Sequence, residues 1–198
     1  MWLRLNYFSP HVKGYDTLLR HNQKDSFRML TLHKIVRYID AYSTFCGRLL
    51  AWLCLGMAAL TTAIVTLRYG FNQGSIAAQE AVIYMHGCLF MLGTAYTLKT
   101  GGHVRVDIFY QKFGPRCRCW INALGGIIFL IPFCIFVFGI SWGYVIDAWT
   151  IKEVSPEPNG IPAVFLLKSV IPLMAFNLLL QGIAETLRNA LALVEDSY

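Results

Sequence analysis

The chain has 198 residues, of which 56% are hydrophobic and only 14% are charged, and its net charge is +6. So few polar residues cannot cover the surface of a water-soluble globule, which excludes an ordinary soluble domain. Nucleic-acid binding is also disfavoured, because the basic residues flank apolar runs and no recognition module is present. We therefore expect a membrane protein.

The N-terminal part is polar and basic up to about residue 48. This order predicts no cleavable signal peptide, whose apolar core follows a short positive segment. Residues 1–23 form a basic extension without clear periodicity. Over residues 24–45, apolar side chains recur at helical spacing while basic ones favour another face. This pattern predicts an amphipathic interfacial helix before the chain turns into the bilayer; a polar extension of the first span is the alternative.

Four long apolar runs follow, at residues 49–67, 76–98, 120–146 and 161–184. Each can cross a bilayer as a helix, since the hydrocarbon core is about 30 Å thick and a helix rises about 1.5 Å per residue. Residues 46–193 are therefore predicted to form an all-α, integral membrane four-helix domain, with residues 185–198 as a cytoplasmic tail. Pro132 and Pro172 predict bends in the last two spans.

Lys and Arg are concentrated on one side of the predicted spans. Eight precede the first span and five lie between the second and third, whereas the other two links hold only Arg68 and Lys152. Positively charged links stay in the cytoplasm, so both termini and the middle link are predicted to lie inside. The six cysteines then lie in spans or cytoplasmic segments, and we expect no disulfide framework.

Charged residues inside the spans are costly and usually face a partner. Glu80 lies about one turn inside the outer end of the second span, and Lys168 roughly two turns inside that of the fourth. Their opposite signs and similar depth predict that Lys168 pairs with Glu80 or with Asp147. The alternative is a lysine that reaches the headgroups alone.

Few other polar side chains occur within the spans. His86 has no second intramembrane histidine with which to ligate a haem, so we predict a buried hydrogen-bonding residue at a helix contact. Gly139 and Gly143 form a small-xxx-small pair that favours close approach of another helix. We find no catalytic constellation, metal motif or phosphate loop, and therefore predict neither an enzyme nor a cofactor.

Several local features occur together over about residues 42–193. They are the GGHVRVD segment at 101–107, the KEVS segment at 152–155, and Glu80, Lys168 and Gln181 within the spans. This combination resembles the small membrane subunit of tripartite ATP-independent periplasmic (TRAP) transporters, the DctQ-like family. The HVRVD run at 103–107 is its most specific element.

The resemblance implies a three-part uptake system in the bacterial inner membrane. A periplasmic binding protein captures an organic anion, often a carboxylate or sulfonate, and a large membrane subunit transports it with sodium. The small subunit would be a scaffold with no substrate or sodium site of its own. His103, Arg105 and Asp107 would form an ordered cytoplasmic connection. Two rival functions are a membrane anchor for a redox enzyme and a small autonomous transporter; the identity of the substrate does not follow.

Overall fold

The structure is a computed structural model that describes residues 10–103, 110 and 112–195, with side chains described over 29–103, 110 and 112–194. Its helices are α1 (Pro10–Gly70), α2 (Ile76–Lys99), α3 (Pro115–Gly125), α4 (Ile131–Thr150) and α5 (Val164–Glu195). A π-helical stretch, Gly126–Leu130, joins α3 to α4 without a break. Within the described residues, four segments are long and apolar enough to cross a membrane: Met29–Gly70, Ile76–Lys99, Pro115–Thr150 and Val164–Val194. The predicted all-α, four-span fold is confirmed.

Helix α1 is continuous from Pro10 to Gly70. The predicted turn between residues 24–45 and the first span is therefore wrong, because no break in the helix separates them. At about 1.5 Å per residue, α1 is roughly three times as long as the hydrocarbon core is thick. One face of the extended part, with Val36 and Ser43, is buried within the chain. The continuous helix corresponds to the alternative, an extension of the first span. The amphipathic character of residues 24–45 stays a prediction.

Helix α5 is the centre of the array and contacts α1, α2, α3 and α4. One third of the residues in its most apolar segment are buried (33%), whereas none are in the corresponding segment of α1 (0%). Helix α5 also continues to Glu195, so residues 185–195 of the predicted cytoplasmic tail are helical, and Arg188 in this part pairs with Asp40 of α1. Much of the surface of α1, α2 and α4 is left for lipid or for another protein.

The third span has a π-helical stretch before Pro132, where a bend was predicted. Because proline has no backbone N–H, it cannot continue the regular hydrogen-bond pattern of the helix. The N–H of Ile131 bonds to the oxygen of Gly126, five residues earlier, which makes the turn before Pro132 π-helical. Gly126 and Gly182 allow this turn to approach α5 closely.

Candidate functional site

A group of polar side chains joins α1, α2 and α5 around Asp40. The Asp40 carboxylate accepts hydrogen bonds from Arg188 Nη2 at 2.7 Å and from Gln181 Nε2 at 3.1 Å. The backbone oxygen of Asp40 accepts a hydrogen bond from Lys99 Nζ at 2.8 Å, and the same ammonium group donates to Thr44 Oγ1. Two other helices are therefore joined to one turn of α1.

Gln181 is the most deeply buried member of this group, with none of its surface exposed (0%). Ser43 Oγ, on α1, donates a hydrogen bond to Gln181 Oε1 at 2.6 Å. One turn earlier on α5, Asn177 Oδ1 accepts a bond from Tyr42 Oη at 2.9 Å. An unpaired buried polar group costs about 1–3 kcal/mol, so these bonds favour one register between α1 and α5.

The network continues along α5 to α3. Glu185 pairs with Arg188, and its backbone oxygen accepts a hydrogen bond from Asn189 Nδ2 at 2.7 Å. Asn122 Nδ2, on α3, donates to Asn189 Oδ1 at 3.3 Å and to Tyr110 Oη at 2.9 Å. We name the whole network the Asp40 cluster, which consists of Asp40, Tyr42, Ser43, Thr44, Lys99, Tyr110, Asn122, Asn177, Gln181, Glu185, Arg188 and Asn189.

The Asp40 cluster uses its charges within the chain. Both carboxylates, of Asp40 and Glu185, are paired with Arg188, and the Lys99 ammonium group bonds to oxygen atoms of α1. This arrangement holds helices together. Within the described residues, no three His, Cys, Asp or Glu side chains form a group that could hold a metal ion.

A sequence signal for this cluster exists but was missed. Asn177, Gln181, Glu185 and Asn189 follow one another at four-residue spacing, which puts them along one face of a helix. A polar stripe in an apolar span indicates a face turned towards another helix. Of these four residues, only Gln181 belongs to the features that carry the family resemblance.

A cavity of about 370 Å³ lies beside the Asp40 cluster, between α2, α3 and α5. Its lining includes Tyr110, Asn122 and Glu185 of the cluster, together with Gly126 and Thr186. All of these residues belong to the same end of the helix array. The cavity therefore provides no path from one end of the helices to the other.

A second polar group lies near the other end of α5. Lys168 Nζ lies 2.5 Å from Glu153 Oε2 and 4.0 Å from the centre of the Tyr144 ring. The predicted pairing with Glu80 or Asp147 is therefore wrong, although the expected carboxylate partner exists. Glu153 belongs to the link before α5, which folds back over the end of the helix and brings this carboxylate to the lysine.

Glu80 instead anchors the same link to α2. Its carboxylate accepts a hydrogen bond from Ser155 Oγ and one from the backbone N–H of Ile161 at 2.6 Å. The side chain of Asp147 is exposed and forms no ion pair with another described residue. Lys168, Glu153, Tyr144, Glu80 and Ser155 together form what we name the Lys168 cluster.

A double-mutant cycle tests the ion pair of the Lys168 cluster. The losses of stability caused by Lys168→Met and by Glu153→Gln should add up to more than the loss in the double variant. Each single change leaves one partly buried charge unpaired, whereas the double variant leaves none. The side chains of Lys168 and Glu153 are 17% and 30% exposed. We therefore expect a coupling free energy between them of about 1 kcal/mol, the upper end of the range for surface ion pairs. The measurement is unfolding in mixed micelles. Asp147→Asn is the matched control and should be additive with Lys168→Met; additivity for Glu153→Gln would contradict the pairing.

Comparison with known proteins identifies the family. Residues 57–192 match the sequence profile of the DctQ component of tripartite ATP-independent periplasmic transporters. The chain belongs to this family. The match includes the whole of α2 to α4 and most of α5, and therefore residues of both polar clusters.

Two DctQ-family relatives illustrate the similarity. The C4-dicarboxylate TRAP transporter small permease protein DctQ of Vibrio cholerae is 27% identical over 111 residues, or 56% of this chain and 46% of that protein. A Haemophilus influenzae protein named as a TRAP transporter small permease is 28% identical over 122 residues, or 59% of this chain and 75% of that protein. The chain thus spans about half the length of the first relative. No solved structure gives a significant match.

The DctQ-family residues predicted for the middle link lie partly outside the described structure. His103 is exposed and follows the end of α2, whereas Arg105 and Asp107 are outside the described residues. An ordered connection built from these three residues stays a prediction.

Two further predictions concern the helix surfaces of this DctQ-family chain. Gly139 and Gly143 face outward, and a Cβ atom on either would meet no side chain or neighbouring helix within 4 Å. Their role as a contact patch stays a prediction. His86 was expected to be a buried hydrogen-bonding residue at a helix contact, but no helix of this chain covers its exposed side chain among the described residues, so that expectation is wrong for contacts within the chain. Depth in a span does not determine which face of the helix is covered.

Proposed function

We propose that this DctQ-family chain is the scaffold subunit of a sodium-coupled TRAP transporter for an organic anion. It binds and supports the large membrane subunit, which carries the transport site. A periplasmic binding protein delivers the substrate to that subunit. The chain itself holds neither the anion nor sodium.

The main support for the scaffold function is that the polar side chains of the two clusters, within the described residues, bond to one another and to the backbone of this chain. The Asp40 cluster and the Lys168 cluster are occupied by contacts between helices and links of this chain. An anion in hydrocarbon needs compensating donors or positive charge along its whole path. The region of α5 between the clusters, with Val170 and Ala175 buried, offers apolar contacts instead.

The substrate class is proposed from the family and from one relative. The name of the Vibrio cholerae protein specifies C4-dicarboxylates for that protein. We extend this only to the class of organic anions, carboxylates or sulfonates, because the selective pocket is expected in the binding protein and the large subunit. Sodium is likewise expected to bind only in the large subunit.

Uptake by proteoliposomes tests the proposal. Vesicles with this chain alone, with the large subunit alone, and with both should be compared under an inward sodium gradient with loaded binding protein outside. We expect full uptake only with both subunits and none with this chain alone. Sodium-driven uptake by vesicles that contain this chain alone would contradict the scaffold role. A haem absorption spectrum of the purified chain would instead favour the redox-anchor alternative.

We propose that the chain lies in the inner membrane of a bacterium and that both of its termini are in the cytoplasm. The asymmetry of Lys and Arg between the links supports this orientation. Cysteine labelling in intact cells measures it on a background without the native cysteines. Glu157→Cys should react with a membrane-impermeant reagent from outside, whereas Lys112→Cys should react only after lysis. The reverse pattern would contradict the proposed orientation.

A further inference from the structure

One polar side chain in the middle of α2 is exposed and makes no hydrogen bond with the described residues. This residue is His86, near the midpoint of Ile76–Lys99. The exposed His33 differs, since its Nδ1 lies 2.9 Å from the backbone oxygen of Met29, one turn earlier on α1. In hydrocarbon, an imidazole without a partner is costly because lipid tails offer neither donors nor acceptors.

The neighbours of His86 on the same helix face are also uncovered. Ile83 is 60% exposed and Phe90 is 69% exposed, and Gln79 continues the same face one turn before Ile83. The spacings of four, three and four residues align these four side chains along one stripe of the helix. We name Gln79, Ile83, His86 and Phe90 the α2 stripe.

Contacts within the chain occupy the two sides of α2 that flank the stripe. Met85 packs against Gly56 of α1, and Leu167 of α5 packs against Gly87. Residues 85 and 87 precede and follow His86, so the stripe lies between the helix sides turned towards α1 and α5. It is a bounded, uncovered surface that runs from the first turn of α2 past its midpoint.

We propose that a transmembrane helix of the large permease subunit packs along the α2 stripe and supplies the hydrogen-bond partner of His86. This inference rests on the proposed scaffold function. Helix association in lipid depends on close packing and on interhelical hydrogen bonds, and the stripe offers both. The partner residue has a hydroxyl or carboxamide side chain, or is a backbone carbonyl left free near a proline.

A second copy of this chain fits the stripe less well. A neutral imidazole has one donor and one acceptor nitrogen. Two His86 rings that face each other can form one N–H···N bond, which leaves one donor and one acceptor unpaired. A helix of a different chain can carry two polar groups, one acceptor and one donor, so that each nitrogen has its own partner. The polar composition of the stripe therefore favours a different chain.

Site-specific photo-crosslinking tests the location of the contact. A photoreactive benzoylphenylalanine is placed at Ile83 or Phe90 on the α2 stripe, and at Ile140 beside the exposed Gly139 and Gly143 on α4. The full chain is expressed with its large subunit, and the crosslinked products are identified by mass. We expect adducts with the large subunit from positions 83 and 90 and few from position 140.

Substitution of His86 tests the hydrogen bond. His86→Leu should weaken co-purification of the large subunit by about three- to tenfold, the range of one interhelical hydrogen bond. His86→Gln keeps a donor and an acceptor and should retain most of the binding. Thermal stability of the chain alone should not change in either variant, because His86 forms no hydrogen bond with the described residues. Ile140→Leu is the control.

Three results would overturn this assignment. They are adducts between two copies of this chain from the stripe positions, adducts with the large subunit from position 140 alone, and undiminished co-purification of His86→Leu. Failure of the wild-type chain to bind any large permease would instead refute the scaffold function, and it is visible before any variant is made.

Discussion

Replacement of the buried Gln181 by leucine is expected to lower the free energy of unfolding by about 1–3 kcal/mol. Leucine has nearly the same volume, so the change removes hydrogen bonds with little change in packing. Ser43 Oγ then loses its acceptor at a site that is 2% exposed, and Asp40 loses one donor. The effect is measured by SDS titration in mixed micelles.

Gln73→Leu provides the matched control. Gln73 lies exposed in the link between α1 and α2, and its substitution should change stability by no more than about 0.5 kcal/mol. Equal losses from the two variants would show that the contacts of Gln181 within the Asp40 cluster do not stabilise the array.

The second large effect is expected where the π-helical stretch approaches α5. A Cβ atom on Gly126 would overlap Thr186 Oγ1, and Thr186 is itself buried and donates a hydrogen bond to the backbone oxygen of Gly182 at 2.8 Å. Gly126→Ala should therefore destabilise the chain by about 1–3 kcal/mol, as overpacking does. Thermal unfolding in detergent measures the change.

The adjacent glycine, Gly125, provides a control for which the opposite change in stability, or none, is expected. A Cβ on Gly125 meets no side chain or neighbouring helix within 4 Å, so Gly125→Ala should be neutral or stabilising by up to about 1 kcal/mol through helix propensity. Thr186→Ala should restore most of the stability lost in Gly126→Ala. Loss of stability in both glycine variants, without rescue, would contradict the close approach.

The sequence predicted the four spans well because bilayer thickness sets a minimum apolar length. It predicted poorly where the helices that contain these spans begin and end. Glu185 and Arg188 look like residues that have left the membrane, yet α5 continues through them because they bond within the Asp40 cluster. In the same way, α1 does not end at the interface, since its extended part packs on α5.

In the candidate sites, too, some features could be predicted from the sequence, whereas others depend on how the helices and links pack. The depth of Lys168 correctly indicated a carboxylate partner, but the choice of Glu153 depends on how the link before α5 folds back. The four-residue spacing of Asn177 and Gln181 could have indicated a polar helix contact. The exposure of His86 could not be predicted, because a single histidine among apolar residues does not indicate which side of α2 a neighbouring helix of the same chain covers.

Affinity purification of the full chain from its native membrane tests most directly whether it acts through a larger subunit. The tagged chain is extracted in a mild detergent, and the proteins that remain bound are identified and quantified by mass spectrometry. We expect one large permease with many transmembrane segments, in a constant ratio to this chain across independent preparations. Recovery of the chain alone, or together with a redox enzyme, would contradict its function as the scaffold of a TRAP transporter.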